Sequence, residues 1–282
     1  MTARALIAGV LLLPFLLLAL RGTGAALWRA RWRVLGMGLI GVAFTQLAYF
    51  AAISRIPVAT ALLIEFLAPL LLVGWVWAIS RRMPRVSVLL GCLLAVGGLV
   101  LVIGPGALQA VDPVGLALAF AAAIGCAVYF VVAARPADGL PPVALAASGL
   151  LLGGLSLGLA GLLGLAPFTA TTGDVPLFGS SVPWWVPLLV VALVGTALAY
   201  ASGIFGSARL GSRLASFMGL LEVVFASIFA WLVLGERLTP LQLLGGVLIL
   251  AGITAIPAER PVTPGGPPAD VPDQPAPGVL AT

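Results

Sequence analysis

The stretch VSVLLGCLLAVGGLVLVIG, residues 86–104, runs for nineteen positions without a charged side chain. As a helix rising 1.5 Å per residue it is about 28 Å long, which matches a bilayer core of roughly 30 Å. Outward from it in both directions, runs of the same kind recur with short breaks. They read as nine spans, over residues 4–20, 34–54, 57–80, 86–104, 113–134, 142–165, 185–205, 214–234 and 240–256. The expected fold is an all-α integral membrane protein, a polytopic bundle of about nine transmembrane helices.

Composition agrees. Of 282 residues, 62% are hydrophobic and 8% charged, where a soluble domain carries roughly 25% charged residues to cover its surface. The formal charge of +5 comes from 14 basic residues, all arginine, set in short clusters between apolar runs. That spacing marks membrane orientation, not a phosphate-binding face, so nucleic acid is not an expected partner and the lipid bilayer is. Histidine is absent and the two cysteines, Cys92 and Cys126, lie inside apolar stretches. Hydrolases built on an imidazole base and zinc sites built on histidine are thereby excluded, and no metal or cofactor is expected.

Cytoplasmic loops hold the excess of positive charge. With the first loop inside, the inner set is Arg21, Arg29, Arg31, Arg33, Arg81, Arg82, Arg85, Arg135, Arg209, Arg213 and Arg260, against Arg4, Arg55 and Arg237 outside. This predicts a multi-pass inner-membrane protein with a cytoplasmic C-terminus and an outer N-terminus. Residues 1–25 resemble a signal peptide, but the arginines that follow resist translocation, and the segment is read as a span. Punctuation fits the spans: Pro57 and Pro113 open helices, and Thr239-Pro240-Leu241-Gln242 has the form of a capping box. Residues 257–282 contain eight prolines and are expected to form a disordered cytoplasmic tail.

The two halves of the chain correspond. Thr45-Gln46-Leu47-Ala48-Tyr49 matches Thr196-Ala197-Leu198-Ala199-Tyr200 at an offset of 151 residues, and Leu89-Leu90-Gly91 through Gly98 matches Leu243-Leu244-Gly245 through Gly252 at 154. Partners lie five spans apart, an odd number, so the halves are inverted in the membrane. The division expected is a first repeat over 1–108, a second over 109–256 and the tail. The fifth span has no counterpart ahead of the first. That predicts either a tenth span upstream of Met1 or a true nine-span variant.

The run Ala215-Ser216-Phe217-Met218-Gly219-Leu220-Leu221-Glu222-Val223-Val224-Phe225-Ala226, then Leu234-Gly235-Glu236-Arg237-Leu238-Thr239 and a glycine-bearing last helix, resembles an EamA domain of the drug/metabolite transporter superfamily. The first half, with Pro69 and Arg81-Arg82-Met83-Pro84 at the matching places, is similar but weaker. The resemblance covers residues 4–256. It implies a ten-helix inner-membrane fold whose first helix is absent here, and export of amino acids or other metabolites through a central cavity between two five-helix repeats. Val223 stands where the family commonly has proline after the glutamate, which removes an expected helix distortion.

Two carboxylates lie inside the spans, Glu65 and Glu222. An ionisable group in hydrocarbon costs roughly 2.5–3.5 kcal/mol even on insertion scales, so each needs a reason to be there. A carboxyl group withdrawn from water holds its proton more readily because the charged form loses hydration. This suits a proton-coupled antiporter in which a proton and a substrate amine compete for one acidic group. The competing reading is that the glutamates fix helix packing. Gln46, Tyr49 and Tyr200 are candidate hydrogen-bonding groups beside them, or core residues with satisfied hydroxyls. Trp75 and Trp77 read as interface anchors. With two acidic groups and no arginine assigned to the membrane interior, the expected substrate is a small molecule bearing an amine. Gly149, Gly153, Gly154, Gly158, Gly161 and Gly164 permit close helix approach, in the bundle or in a homodimer.

The alternatives are an intramembrane enzyme, a receptor or assembly partner that does not transport, and an inactive truncated transporter. An enzyme has only the two glutamates to work with, and a receptor ordinarily carries a folded domain outside the membrane. The reading adopted is a non-enzymatic transporter, a proton-coupled exporter of a metabolite such as an amino acid, amine or drug.

Overall fold

The computed structural model describes residues 1–19, 24–81, 83–104, 112–135, 139–165, 173–177, 180–235 and 238–256. The proposed tail and the Glu236-Arg237 pair lie outside them. The helices are α1 (Thr2–Ala19), α2 (Gly24–Arg29), α3 (Arg31–Ile53), α4 (Val58–Glu65), α5 (Ala68–Ser80), α6 (Val86–Ile103), α7 (Pro113–Ala134), α8 (Pro142–Leu162), α9 (Trp185–Gly219), α10 (Leu221–Leu234) and α11 (Pro240–Thr254). Among the described residues six segments are long and apolar enough to cross a membrane, α4 and α5 counting together, and α1, α10 and α11 are shorter apolar helices. All nine expected spans are therefore helical, and the chain is an all-α polytopic membrane protein. A short hairpin, β1 (Val175–Leu177) with β2 (Ser180–Val182), sits between α8 and α9; the sequence gives no alternating pattern to announce it.

Two boundaries differ from expectation. The seventh and eighth spans are not separated by a loop over 206–213: helix runs to Gly211, turns at φ 79° and ψ 165°, and resumes at once. That backbone region is open essentially to glycine alone, so one residue makes the corner. The eighth span is also interrupted at Leu220, just as the third is interrupted at Phe66-Leu67 between α4 and α5. The distortion expected to vanish with the proline replaced by Val223 is present without it.

Devices recur at the offset of 154. The breaks fall at Phe66 and Leu220, and the helices after them end in left-handed caps at Arg81 (φ 55°) and Gly235 (φ 69°). In α3 and α9 the helix widens to π geometry over Gly36–Phe44 and Leu193–Leu198. Each wide stretch is bridged by the threonine of the matched motif. Thr45 Oγ1 donates to the Ile40 carbonyl at 2.8 Å and Thr196 Oγ1 to the Val191 carbonyl at 3.0 Å, both five residues back.

Helices α6 and α11 cross antiparallel through the glycines of the other matched motif. A Cβ on Gly252 would lie 2.8 Å from the Gly91 carbonyl oxygen, and one on Gly91 would lie 2.9 Å from that of Gly252. Gly98 and Gly245 meet in the same reciprocal way. Buried Val88, Ala95, Ile249 and Ile253 fill the seam. On α8, Gly154 faces Leu6 of α1, while Gly149 and Gly153 face Met37 and Val42 of α3. These glycines serve packing within the bundle. Trp75 and Trp77 are 63% and 49% exposed, as anchors at a membrane interface would be.

Candidate functional site

The helix breaks build a cavity of about 190 Å³. From α4, the break and the start of α5 come Leu62, Glu65, Phe66, Ala68 and Pro69; from the matching break come Ser216, Gly219, Leu220 and Glu222; α7 closes it with Cys126 and Phe130. Both membrane carboxylates thus face one space. Glu65 is half-buried and Glu222 exposed. A broken helix leaves backbone groups unpaired by the i→i−4 ladder, and discontinuous membrane helices are where transporters place polar ligands. Ser216 is buried, its Oγ donating to the Arg213 carbonyl at 2.7 Å.

Tyr49 lies within electrostatic range of both glutamates, packed edge-to-face on Phe50 with ring centroids 5.6 Å apart. Tyr200 and Gln46 lie beside each other, Tyr200 within the field of Glu65. Gln46 is 6% exposed, and although its amide faces the Tyr200 hydroxyl, neither amide atom reaches a partner in good hydrogen-bond geometry. Of the five residues singled out in the sequence, Glu65 and Glu222 line the cavity, and Tyr49, Gln46 and Tyr200 are not among its lining residues.

Three more residues belong here. Tyr129, on α7, stacks edge-to-face on Tyr200 with centroids 5.6 Å apart, so the chain's three tyrosines share one region. Cys126, next to Tyr129 on the same helix turn, is a free thiol, as is Cys92. Arg4, assigned above to the outer flank, is a helical residue of α1 whose Nε is buried and whose charge acts on Tyr200 and Glu222. Rarity was the available signal for Tyr129 in so apolar a chain. For Arg4 it was the four-residue spacing to Ala8, Leu12 and Leu16. Among the described residues no group of three metal-ligating side chains occurs.

The chain resembles known proteins over most of its length. The sequence profile of the EamA-like transporter family fits residues 1–104 and 113–256. The chain belongs to that family. This EamA-type transporter is 30% identical to the threonine/homoserine exporter RhtA of Escherichia coli over 80% of its own length and 73% of the other's. It is 28% identical to the uncharacterized inner membrane transporter YicL of Salmonella typhimurium, over 77% of this chain and 70% of that one. A solved crystal structure superposes on it with a TM-score of 0.68, covering 90% of this chain and 85% of the other at 23% identity, a likeness of fold. The EamA-type chain is a multi-pass inner-membrane transporter of a small molecule.

Proposed function

We propose that the protein is a proton-coupled exporter of a small amine-bearing metabolite, an amino acid or amine, in which Glu65 and Glu222 take protons and the substrate ammonium in turn. The observation that carries this reading is that the two acids line a single cavity at two helix breaks. Two carboxylates sharing a site disfavour double ionisation, so a proton or an ammonium is the natural occupant of one of them. The cavity, about 190 Å³, is smaller than the roughly 300–1,000 Å³ of drug-sized pockets and suits a metabolite. The export reading is supported by the similarity to RhtA.

Alternating access follows from division into two inverted repeats, 1–108 and 109–256, rocking across the glycine seam of α6 and α11. Matching halves give outward- and inward-open states of comparable energy. A cytoplasmic C-terminus and an outer start to α1 are part of the same reading.

The test is uptake into proteoliposomes under an imposed pH gradient, with a panel of amino acids and organic cations. Glu65→Gln and Glu222→Gln keep the shape and remove the charge. Each is expected to lower gradient-driven transport at least tenfold while leaving the bundle folded. Full activity in both single variants would overturn the assignment.

A further inference from the structure

Phe130, on α7, stands between the two helix breaks. It packs against the buried cluster of Ala68, Leu72 and Ala127, and Ala68 opens α5 directly after the first break. Its tip meets the second break: a Cβ on Gly219, the last residue of α9 before Leu220, would lie 3.3 Å from Cζ of the Phe130 ring. Phe130 and Gly219 both line the cavity that holds Glu65 and Glu222.

Three other bulky apolar residues of the lining are held by the core. Leu220 is 2% exposed and Pro69 is fully buried, and Phe66 packs on two clusters, with Val73 and Ile249 in one and Leu63 and Leu99 in the other. Phe130 differs, because the atom at its tip borders a residue with no side chain. Interiors are close-packed and feel even one methylene, so the length of the ring and the missing Cβ together fix how far this wall advances. An apolar cavity of about 150 Å³ is enough for benzene; one of about 190 Å³ that must also bring an ammonium to a carboxylate has little space left beyond an aromatic ring. We propose that Phe130, seated on Gly219, is the size-limiting residue of the site, admitting amines with small aliphatic bodies and discriminating against aromatic ones. This rests on the transporter reading above and narrows its substrate by the bulk of the apolar part, with or without a carboxylate beside the amine.

The experiment is titration calorimetry on the detergent-solubilised full chain with methylamine, isobutylamine and phenethylamine, and with glycine, valine and phenylalanine, which are the same amines bearing a carboxylate. Wild type, Phe130→Leu, Phe130→Ala, Gly219→Ala and the Phe130→Ala, Gly219→Ala double variant are compared, each checked for an unchanged elution profile and helical circular dichroism. In whichever series binds, wild type is expected to take the branched aliphatic member at least tenfold more tightly than the aromatic one. Phe130→Ala removes that ratio and Phe130→Leu reduces it. Gly219→Ala, which displaces the ring tip, shifts the ratio at least threefold on its own and leaves it unchanged once Phe130 is replaced by alanine. A wild-type ratio kept in folded Phe130→Ala and Phe130→Leu, or aromatic members binding wild type as tightly as the aliphatic ones, overturns the size limit and leaves the exporter standing. Binding of no member of either series to wild type sinks both readings.

Discussion

Thr45 and Thr196 make the same hydrogen bond in two places: each hydroxyl donates to the carbonyl five residues earlier, bridging a widened helical turn in α3 and in α9. Each is followed four residues later by a tyrosine of the site, Tyr49 or Tyr200. The widened turn shifts the angular position of all that follows it, so the threonine helps to aim the tyrosine. Thr45→Val or Thr196→Val keeps the shape and deletes the donor. Each is expected to cost about 1 kcal/mol, a typical net hydrogen bond, seen as a lower apparent melting temperature in detergent. Unchanged melting in both would show that the π stretches need no hydroxyl.

Arg81 and Gly235 close matching helices with the same left-handed residue. An L side chain there is strained by roughly 1 kcal/mol, and glycine is not. Arg81→Gly is therefore expected to raise stability by up to about 1 kcal/mol, and Gly235→Ala to lower it by a similar amount. Thermal melts of the two variants check both signs, and a destabilised Arg81→Gly would mean that the side chain contributes more than its backbone costs.

At the crossing of α6 and α11 a methyl group has nowhere to go. In Gly245→Ala the new Cβ would stand 2.6 Å from the Gly98 carbonyl oxygen, and backbone cannot swing aside as a side-chain end does. A loss of roughly 1–3 kcal/mol is expected, as for other overpacked sites. Gly97→Ala, on α6 beside Gly98 and with nothing within 4 Å, is the control and should be neutral or stabilising through helix propensity. Equal effects of the two would remove the seam from the account.

Much of this was legible in the chain. Charge-free runs of bilayer length located the spans, and the capping box at Thr239 and Gln242 is formed as its spacing predicts. The paired motifs led to the glycines that touch and the threonines that bridge. Glu65 and Glu222 stood out because charge at membrane depth is costly. What stayed hidden was whatever depends on tertiary placement. Nothing local marks the break at Leu220, where the expected proline is missing, and a single glycine corner at Gly211 looks like any glycine in a helical run. Arg4 is one residue among flanking charges until the packing of α1 turns its stripe inward. Tyr129 acquires its place only when α7 meets α9.

That meeting yields the sharpest test of the site's geometry. A Cβ at Gly203 of α9 would lie 2.7 Å from the Tyr129 hydroxyl oxygen, with the next ring atom at 3.9 Å. Gly203→Ala should therefore push Tyr129 off its edge-to-face contact with Tyr200, costing roughly 1–3 kcal/mol and reducing transport, because Tyr200 stands next to Gln46. Tyr129→Phe removes only the offending oxygen. In that background Gly203→Ala meets ordinary van der Waals contact and should cost little, so the double-mutant cycle should show a coupling of at least about 1 kcal/mol. Melting temperatures of the four proteins give the cycle, and proteoliposome uptake gives its functional counterpart. Identical costs of Gly203→Ala with and without the hydroxyl would mean that α7 and α9 are not seated as described, and the tyrosine pair would lose its claim to shape the site.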